Sequence, residues 1–307
     1  MVQISASMVK ELRGRTGAGM LDCKKALVES GGDIEAAGEW LRKKGLAAAA
    51  KKSGRVAAEG LVGLRTAGGR GALVEVNAET DFVARNESFQ EFVGAVSDIA
   101  LTVGGDPAAL KAADYPDSGR TVEGELTNLI ATIGENMTLR RSAGLSVDEG
   151  IVASYMHNSA GPGLGKIGVL VGMKSSADPE ALQQLGKQVA MHIAASSPRA
   201  VTAEDLDAGT VEKEREILRE QAAGSGKPPE IVEKMIEGRL RKFYEEVVLM
   251  NQTWVIDGES KVSKVIAAAA KEFGAPVEIA GFVCYRLGEG VERRADDFAA
   301  EVAQLAG

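Results

Sequence analysis

Ala72-Leu73-Val74-Glu75-Val76-Asn77-Ala78-Glu79-Thr80-Asp81-Phe82-Val83 is the stretch on which the fold turns. Its first half reads as a strand; its second half breaks that pattern with a carboxylate and a phenyl ring side by side, just ahead of an amphipathic segment. Upstream, Leu61-Val62-Gly63-Leu64 and the strand at 72–76 flank Gly68-Gly69-Arg70-Gly71. From Val56 the period is alternating, and this arrangement predicts a hairpin with a glycine-permitted turn. Downstream, Ser88-Phe89-Gln90-Glu91 fits a capping box, and Phe89, Phe92, Val93, Val96 and Ile99 recur at helical spacing. The unit is hairpin, corner, helix. Thr80, Asp81, Phe82 and Val83 form a wedge at the corner, and a Phe after a strand is more often buried in its own molecule than offered to another.

The same order returns further along. Glu59-Gly60-Leu61-Val62 is matched by Glu149-Gly150-Ile151-Val152, Gly71-Ala72-Leu73-Val74 by Gly168-Val169-Leu170-Val171, and Asp98-Ile99-Ala100 by His192-Ile193-Ala194. Three matches in order favour a duplicated sheet-plus-helix unit over chance similarity of two hairpins. The second hairpin carries an insertion, Asn158-Ser159-Ala160-Gly161-Pro162-Gly163-Leu164-Gly165-Lys166. A phosphate loop would need Gly at 160 and Ser or Thr at 167, but these are Ala160 and Ile167, so a flexible hairpin tip is expected there.

Ahead of the core, residues 5–50 read as three short helices. Ser5 is the first N-cap, with Met8, Val9 and Leu12 as the apolar stripe; Met20, Leu21, Ala26 and Leu27 form a second stripe; Asp33 caps a third helix with Ile34, Ala37 and Leu41 inward, ending before Gly45. An Ala- and Lys-rich linker is expected at 47–54. Within the second unit, Val211, Ile217 and Leu218 mark one helix, and Ile231, Val232, Met235, Ile236, Leu240, Phe243, Tyr244, Val247 and Val248 mark a longer one, with Gly224-Ser225-Gly226-Lys227-Pro228-Pro229 forcing a reversal. The pair is an antiparallel helical hairpin that either protrudes or packs on the core. A last strand at 277–285 and a terminal helix at 297–305 complete the chain. The expected class is α+β, divided into a three-helix head (1–50), an N-terminal core unit (56–143), a C-terminal core unit (144–287) that includes the hairpin at 210–250, and a C-terminal module (288–307).

Composition narrows the function. The 307 residues carry a net charge of −8, but residues 1–55 hold eleven Lys and Arg against six Asp and Glu, a basic head on an acidic body. That head either steers toward an acidic partner or is a set of solvated helix faces. Aromatic residues make up 4% of the chain and do not interleave with Lys and Arg, so no stacking platform for nucleic acid is indicated. Cys23 and Cys284 are the only cysteines and read as reduced thiols; His157 and His192 are equally solitary, and no nucleophile-and-base pattern surrounds any of them. No enzyme, metal, cofactor or small-molecule substrate is expected. With no apolar run of about 18 residues and no leader-like start, no membrane association is expected, and the cytoplasm is the expected location.

Lys10-Glu11-Leu12-Arg13, Arg15-Thr16-Gly17-Ala18-Gly19-Met20, Asp22-Cys23-Lys24-Lys25-Ala26-Leu27 and Thr80-Asp81-Phe82-Val83 together resemble bacterial translation elongation factor Ts. Gly226-Lys227-Pro228, Glu233-Lys234-Met235 and Glu237-Gly238-Arg239 extend the resemblance, which covers essentially the whole chain. It implies a guanine nucleotide exchange factor for elongation factor Tu, with a ubiquitin-associated-like head, a duplicated core, a coiled-coil hairpin and a C-terminal module. Asp81 and Phe82 would push between helices of the partner's nucleotide domain, disturb its magnesium site and release GDP. Lys10, Arg13, Met20 and Leu21 would touch a helix of that domain, although Met20 and Leu21 also suit the head's own core. His157 matches a family histidine at the partner's phosphate-loop side, and the insertion at 161–165 departs from the shorter hairpin of some members. The other function class that the basic head allows is a nucleic-acid-binding accessory protein of translation.

Overall fold

A computed structural model describes residues 4–223 and 228–292. Helix α1 (Ala6–Thr16) starts at Ser5, whose hydroxyl accepts the Met8 N–H, and stops at Gly17, whose φ of 69° suits a residue without Cβ. Helix α2 spans Met20–Glu29 and α3 spans Ile34–Lys52, the latter capped by Asp33 through the Glu35 and Ala36 N–H groups. Val9, Leu12, Cys23, Ala26, Leu27 and Ala37 form the core of this bundle. Met20 and Leu21 do not belong to it. At 100° per residue Leu21 lies nearly opposite Cys23, so the inward stripe of α2 is Cys23, Ala26 and Leu27.

The hairpin follows as β1 (Glu59–Ala67) and β2 (Arg70–Ala78), with Ala67 opposite Arg70 and Gly68 at φ 55° in the turn. A 3-10 turn at Val83–Arg85 leads into α4 (Glu87–Thr102). The cap of α4 is Asn86, not the expected Ser88: the turn closes on the Asn86 N–H, leaving Asn86 extended with its side chain accepting the Phe89 N–H. Helix α5 (Pro107–Ala112), the short strands β3 (Asp114–Tyr115) and β4 (Arg120–Thr121), helix α6 (Val122–Ile133) and β5 (Met137–Ser146) finish the first unit. The second contains β6 (Gly150–His157), β7 (Leu164–Gly165), β8 (Ile167–Lys174), α7 (Pro179–Ser196), α8 (Ala208–Ala223), α9 (Pro229–Val247), α10 (Val262–Phe273) and β9 (Glu278–Arg286). This mixed architecture of helices and antiparallel sheets agrees with the α+β expectation. The expected turn at 224–227 and the terminal helix at 297–305 lie outside the described residues.

Strand order is β5-β2-β1-β7 in one sheet and β6-β8-β9 in the other. The repeat seen in sequence has a geometric counterpart. The β2–β5 ladder shifts register between Glu75 and Val76, and the β8–β9 ladder shifts between Gly172 and Met173, at the same offset that relates Gly71 to Gly168. Gly60 and Gly150 match too, with φ of 120° and 122°; a Cβ on either would strike a partner-strand carbonyl, Val76 O or Met173 O.

The expected alternation along the first hairpin is replaced by continuous burial, because both faces of β2 are covered. Ala72, Val74 and Val76 face α4 and α6, where Phe89, Phe92, Val93 and Leu126 pack; Leu73 faces the second sheet beside Val62, Leu64, Val152 and Leu170. Glu75 lies fully buried on that second face. Its carboxylate accepts from Arg140 at 3.0 Å, from the Gly288 N–H at 2.8 Å and from Arg141. Two guanidinium partners and a backbone donor offset the cost of burying its charge.

Helix α3 also departs from expectation by running through Gly45 and the supposed linker to Lys52. Gly45 is a close-approach residue: a Cβ there would sit 3.4 Å from Ala131 Cβ on α6. The alanines at 47–50 that follow are the strongest helix formers, so the helix continues. Helices α8 and α9 pack on each other through Leu218, Ile236 and Leu240, a cluster separate from the two larger cores. Among the described residues no helix is long and apolar enough to cross a membrane.

Candidate partner-binding corner

The last paired rung of β2 and β5 sets Ala78 opposite Met137. Beyond it the two chains are joined by side chains. Gly134, at φ 94°, ends α6 and turns the backbone so that Glu135 reaches across. Glu135 Oε2 accepts the Thr80 N–H at 2.9 Å, and Oε1 accepts the Thr80 hydroxyl at 2.7 Å. In return Glu79 Oε1 accepts the Asn136 N–H. Arg55 closes the group: its guanidinium donates to Glu79 at 3.3 Å, and its carbonyl accepts from Asn136 Nδ2 at 2.7 Å.

Phe82 begins the 3-10 turn with φ −63° and ψ −38° and projects a side chain that is 75% exposed. Val83 and Ala84 turn inward to the first core, and Gln90 Nε2 donates to the Ala84 carbonyl at 2.9 Å. Of the four residues expected to meet a partner, Val83 is buried in the free chain: the turn that points Phe82 out points Val83 in. Leaving a phenyl ring in water forgoes roughly 2 kcal/mol of burial. Asp81, half exposed, lies 3.2 Å from Arg85 Nη2. An ion pair this exposed is worth little, so the carboxylate can exchange partners at small cost.

Lys10 and Arg13 lie three residues apart on one face of α1 and are exposed. Met20 and Leu21 are 59% and 84% exposed. Val28, also exposed, is seven residues beyond Leu21 and shares its face; it is not among the sequence candidates, although its spacing from Leu21 carries the signal.

His157 ends β6, exposed, with its Nδ1 3.0 Å from the Tyr155 hydroxyl. The segment after it is not a flexible tip. Strand β7 pairs with β1, placing Leu164 opposite Gly63; Gly163 O accepts the Leu64 N–H at 2.8 Å, and Arg65 bridges Asp98 and the Pro162 carbonyl. The insertion thus lends a fourth strand to the first sheet.

His192, by contrast, is fully buried. Its Nδ1 accepts the Val255 N–H at 3.3 Å, so Nε2 carries the proton and donates to Gln252 Oε1 at 2.9 Å. Trp254 stacks on the ring at 5.2 Å. Burial lowers its pKa, with the Gln252 bond opposing. A neutral, enclosed imidazole of this kind ties α7 to the segment after α9 and is closed to a substrate. Cys23 is buried in the head, and burial pushes the half-buried Cys284 thiol up, away from the reactive thiolate. What the exposed groups can do is occupy another surface.

The family model described as elongation factor TS matches residues 79–289. Full-length relatives agree. A protein named elongation factor Ts from Rhodospirillum rubrum is 62% identical over 304 residues, covering 99% of this chain and 98% of the relative. Those of the same name from Rhodospirillum centenum and Sphingopyxis alaskensis are 62% and 59% identical, with complete coverage of both chains in each comparison.

Proposed function

The chain belongs to the elongation factor Ts family, a family of translation elongation factors, and from that premise we propose that it is the guanine nucleotide exchange factor of elongation factor Tu. The observation that carries the reading is the exposed Phe82 on a corner fixed from behind by Thr80 and from below by Val83. In this reading Phe82 enters the partner's nucleotide domain between helices. A packed interior accommodates a ring only by moving, at a cost of about 1–3 kcal/mol when the fit is poor. That displacement is how a phenyl group disturbs a magnesium site without touching it. Asp81 leaves Arg85 and draws hydrogen bonds away from the surroundings of the ion. No covalent bond forms or breaks in the factor.

Lys10, Arg13, Met20 and Leu21 serve as the head's contact to the same domain, and His157 as a contact from the second unit. Several separated surfaces suit the task, because the head can hold the complex while the corner moves the nucleotide. The division into head (1–50), core units (56–143 and 144–287) and C-terminal module (288–307) follows these roles, as does action in the cytoplasm, where elongation occurs. Exchange is then a coupling between two sites: whatever weakens GDP on the partner weakens the factor equally when GDP is bound.

The test is release of a fluorescent GDP from elongation factor Tu with and without saturating factor. Acceleration by orders of magnitude is expected. An unchanged release rate in the presence of a formed complex sinks the proposal.

A further inference from the structure

We propose that Glu135 is a positioning residue for nucleotide exchange, holding the corner that carries Asp81 and Phe82 in the geometry from which they act. The inference rests on the exchange reading above and assigns a role to a residue outside the corner itself.

Glu135 lies fifty-five positions from Thr80 in sequence, yet both oxygens of its carboxylate are committed to that one residue, one to the amide and one to the hydroxyl. Bonds to a charged acceptor are about twice as strong as neutral ones, and two to the same residue fix orientation as well as distance. Thr80 is the last restrained residue before the exposed pair. Glu79 and Asn136 repeat the contact in the opposite sense, so the clasp resists both sliding and rotation of the two chains.

The clasp replaces backbone pairing. β2 and β5 stop hydrogen bonding as a ladder at Ala78 and Met137, where the chains must diverge into the corner and into α6. Without side-chain bonds the corner would be a loop end with several conformers. A wedge acts only if its ring is presented in one direction, because force on a partner's helix requires that the wedge not yield first. Asp81 is tethered only by the exposed Arg85, and Phe82 makes no ring contact of its own among those recorded for the described residues, so restraint must come through the backbone at Thr80 and Val83. Val83 supplies the apolar half of that restraint and Glu135 the polar half.

The experiment compares maximal GDP release at saturating factor for the wild type, Glu135→Ala, Thr80→Val and Asp81→Ala/Phe82→Ala, and for each of the first two substitutions combined with the corner pair. Thr80→Val removes the hydroxyl donor with little change of shape and serves if Glu135→Ala does not fold. Glu135→Ala is expected to lower the maximal rate about tenfold, the factor that about 1.4 kcal/mol represents, and Thr80→Val by a smaller factor. In the background that already lacks Asp81 and Phe82 neither should add a further loss, because a positioning residue has nothing left to position. Equal losses in both backgrounds would show that Glu135 acts elsewhere and overturn the inference. So would wild-type rates in both single variants while the corner pair is slow. A wild-type rate for Asp81→Ala/Phe82→Ala itself would instead bring down the exchange reading on which the inference stands.

Discussion

Phe82 and Val83 are adjacent in sequence and opposite in environment: Phe82 is 75% exposed and Val83 only 3%. Their substitution should therefore separate stability from function. Val83→Ala removes buried methyl groups from the first core and is expected to cost about 2 kcal/mol in urea unfolding. Phe82→Ala is expected to change unfolding by less than about 0.5 kcal/mol, as for other exposed positions, while slowing GDP release. Equal destabilisation by the two would mean that the ring packs at home.

Gly71 and Gly168 are equivalent positions in the two repeats and are tightly packed in mirrored fashion. A Cβ on Gly71 would lie 2.8 Å from Val152 and 2.9 Å from Leu170; one on Gly168 would lie 2.7 Å from Leu73 and 2.9 Å from Val62. Each residue thus approaches the strands of the other repeat. Gly71→Ala and Gly168→Ala should each destabilise by about 1–3 kcal/mol through overpacking, measurable as a lower midpoint of thermal unfolding. A neutral outcome at both would mean that the two sheets can shift apart freely.

His192 sets a pH dependence. Burial lowers its folded pKa below the ordinary value of 6.5, so as pH falls the unfolded chain takes up a proton before the folded one does. Its contribution is whole above that value and is lost as pH falls from 6.5 through the lowered folded pKa. Urea unfolding of the wild type across pH 5–8 should show stability declining on the acid side. His192→Gln should be less stable at neutral pH, having lost the Val255 and Trp254 contacts, and should show a shallower acid decline. An unchanged slope in the variant would assign the pH dependence to other groups.

Leu21 is exposed on the face of α2 that it shares with Val28. Leu21→Ala should leave the unfolding midpoint within error and raise the concentration of factor that half-saturates GDP release about tenfold, the effect of about 1.4 kcal/mol at a contact centre. The maximal rate should hardly move, because the corner is intact. A lowered unfolding midpoint with unchanged half-saturation would return Leu21 to a structural role.

Short-range patterns were legible in the sequence and long-range ones were not. The hairpin, the apolar face of α4 and the caps at Ser5 and Asp33 depend on neighbours within a few residues, and each is where its pattern places it. The double burial of β2 was hidden because Glu75 and Asn77 are polar: Arg140, Arg141 and the Gly288 N–H, distant in sequence, make the burial of Glu75 tolerable, and Asn77 Nδ2 donates to Glu75 and to the Glu59 carbonyl. Gly45 looked like a stop because a glycine's local effect is to end helices, whereas here its use is set by Ala131 across the interface. Pairing of β7 with β1 likewise turns an apparent loop into a strand.

At the corner the residues themselves were legible, since the break after Asn77 is sharp, but their outward direction came only from the family resemblance and not from the local pattern. Local pattern favoured a buried Phe82. Its exposure follows from the 3-10 turn, which makes Phe82 and Val83 point apart, and from Glu135, whose link to Thr80 no local spacing announces.

In the proposed mechanism Asp81 and Phe82 drive GDP from elongation factor Tu, so the decisive quantity is the maximal rate of GDP release at saturating Asp81→Ala/Phe82→Ala factor, taken alongside direct titration of complex formation and a thermal unfolding curve. A folded variant that still forms the complex but releases GDP at least about a hundredfold more slowly than the wild type, a loss of about 2.7 kcal/mol, is the predicted result. A wild-type release rate from that same complex would contradict it.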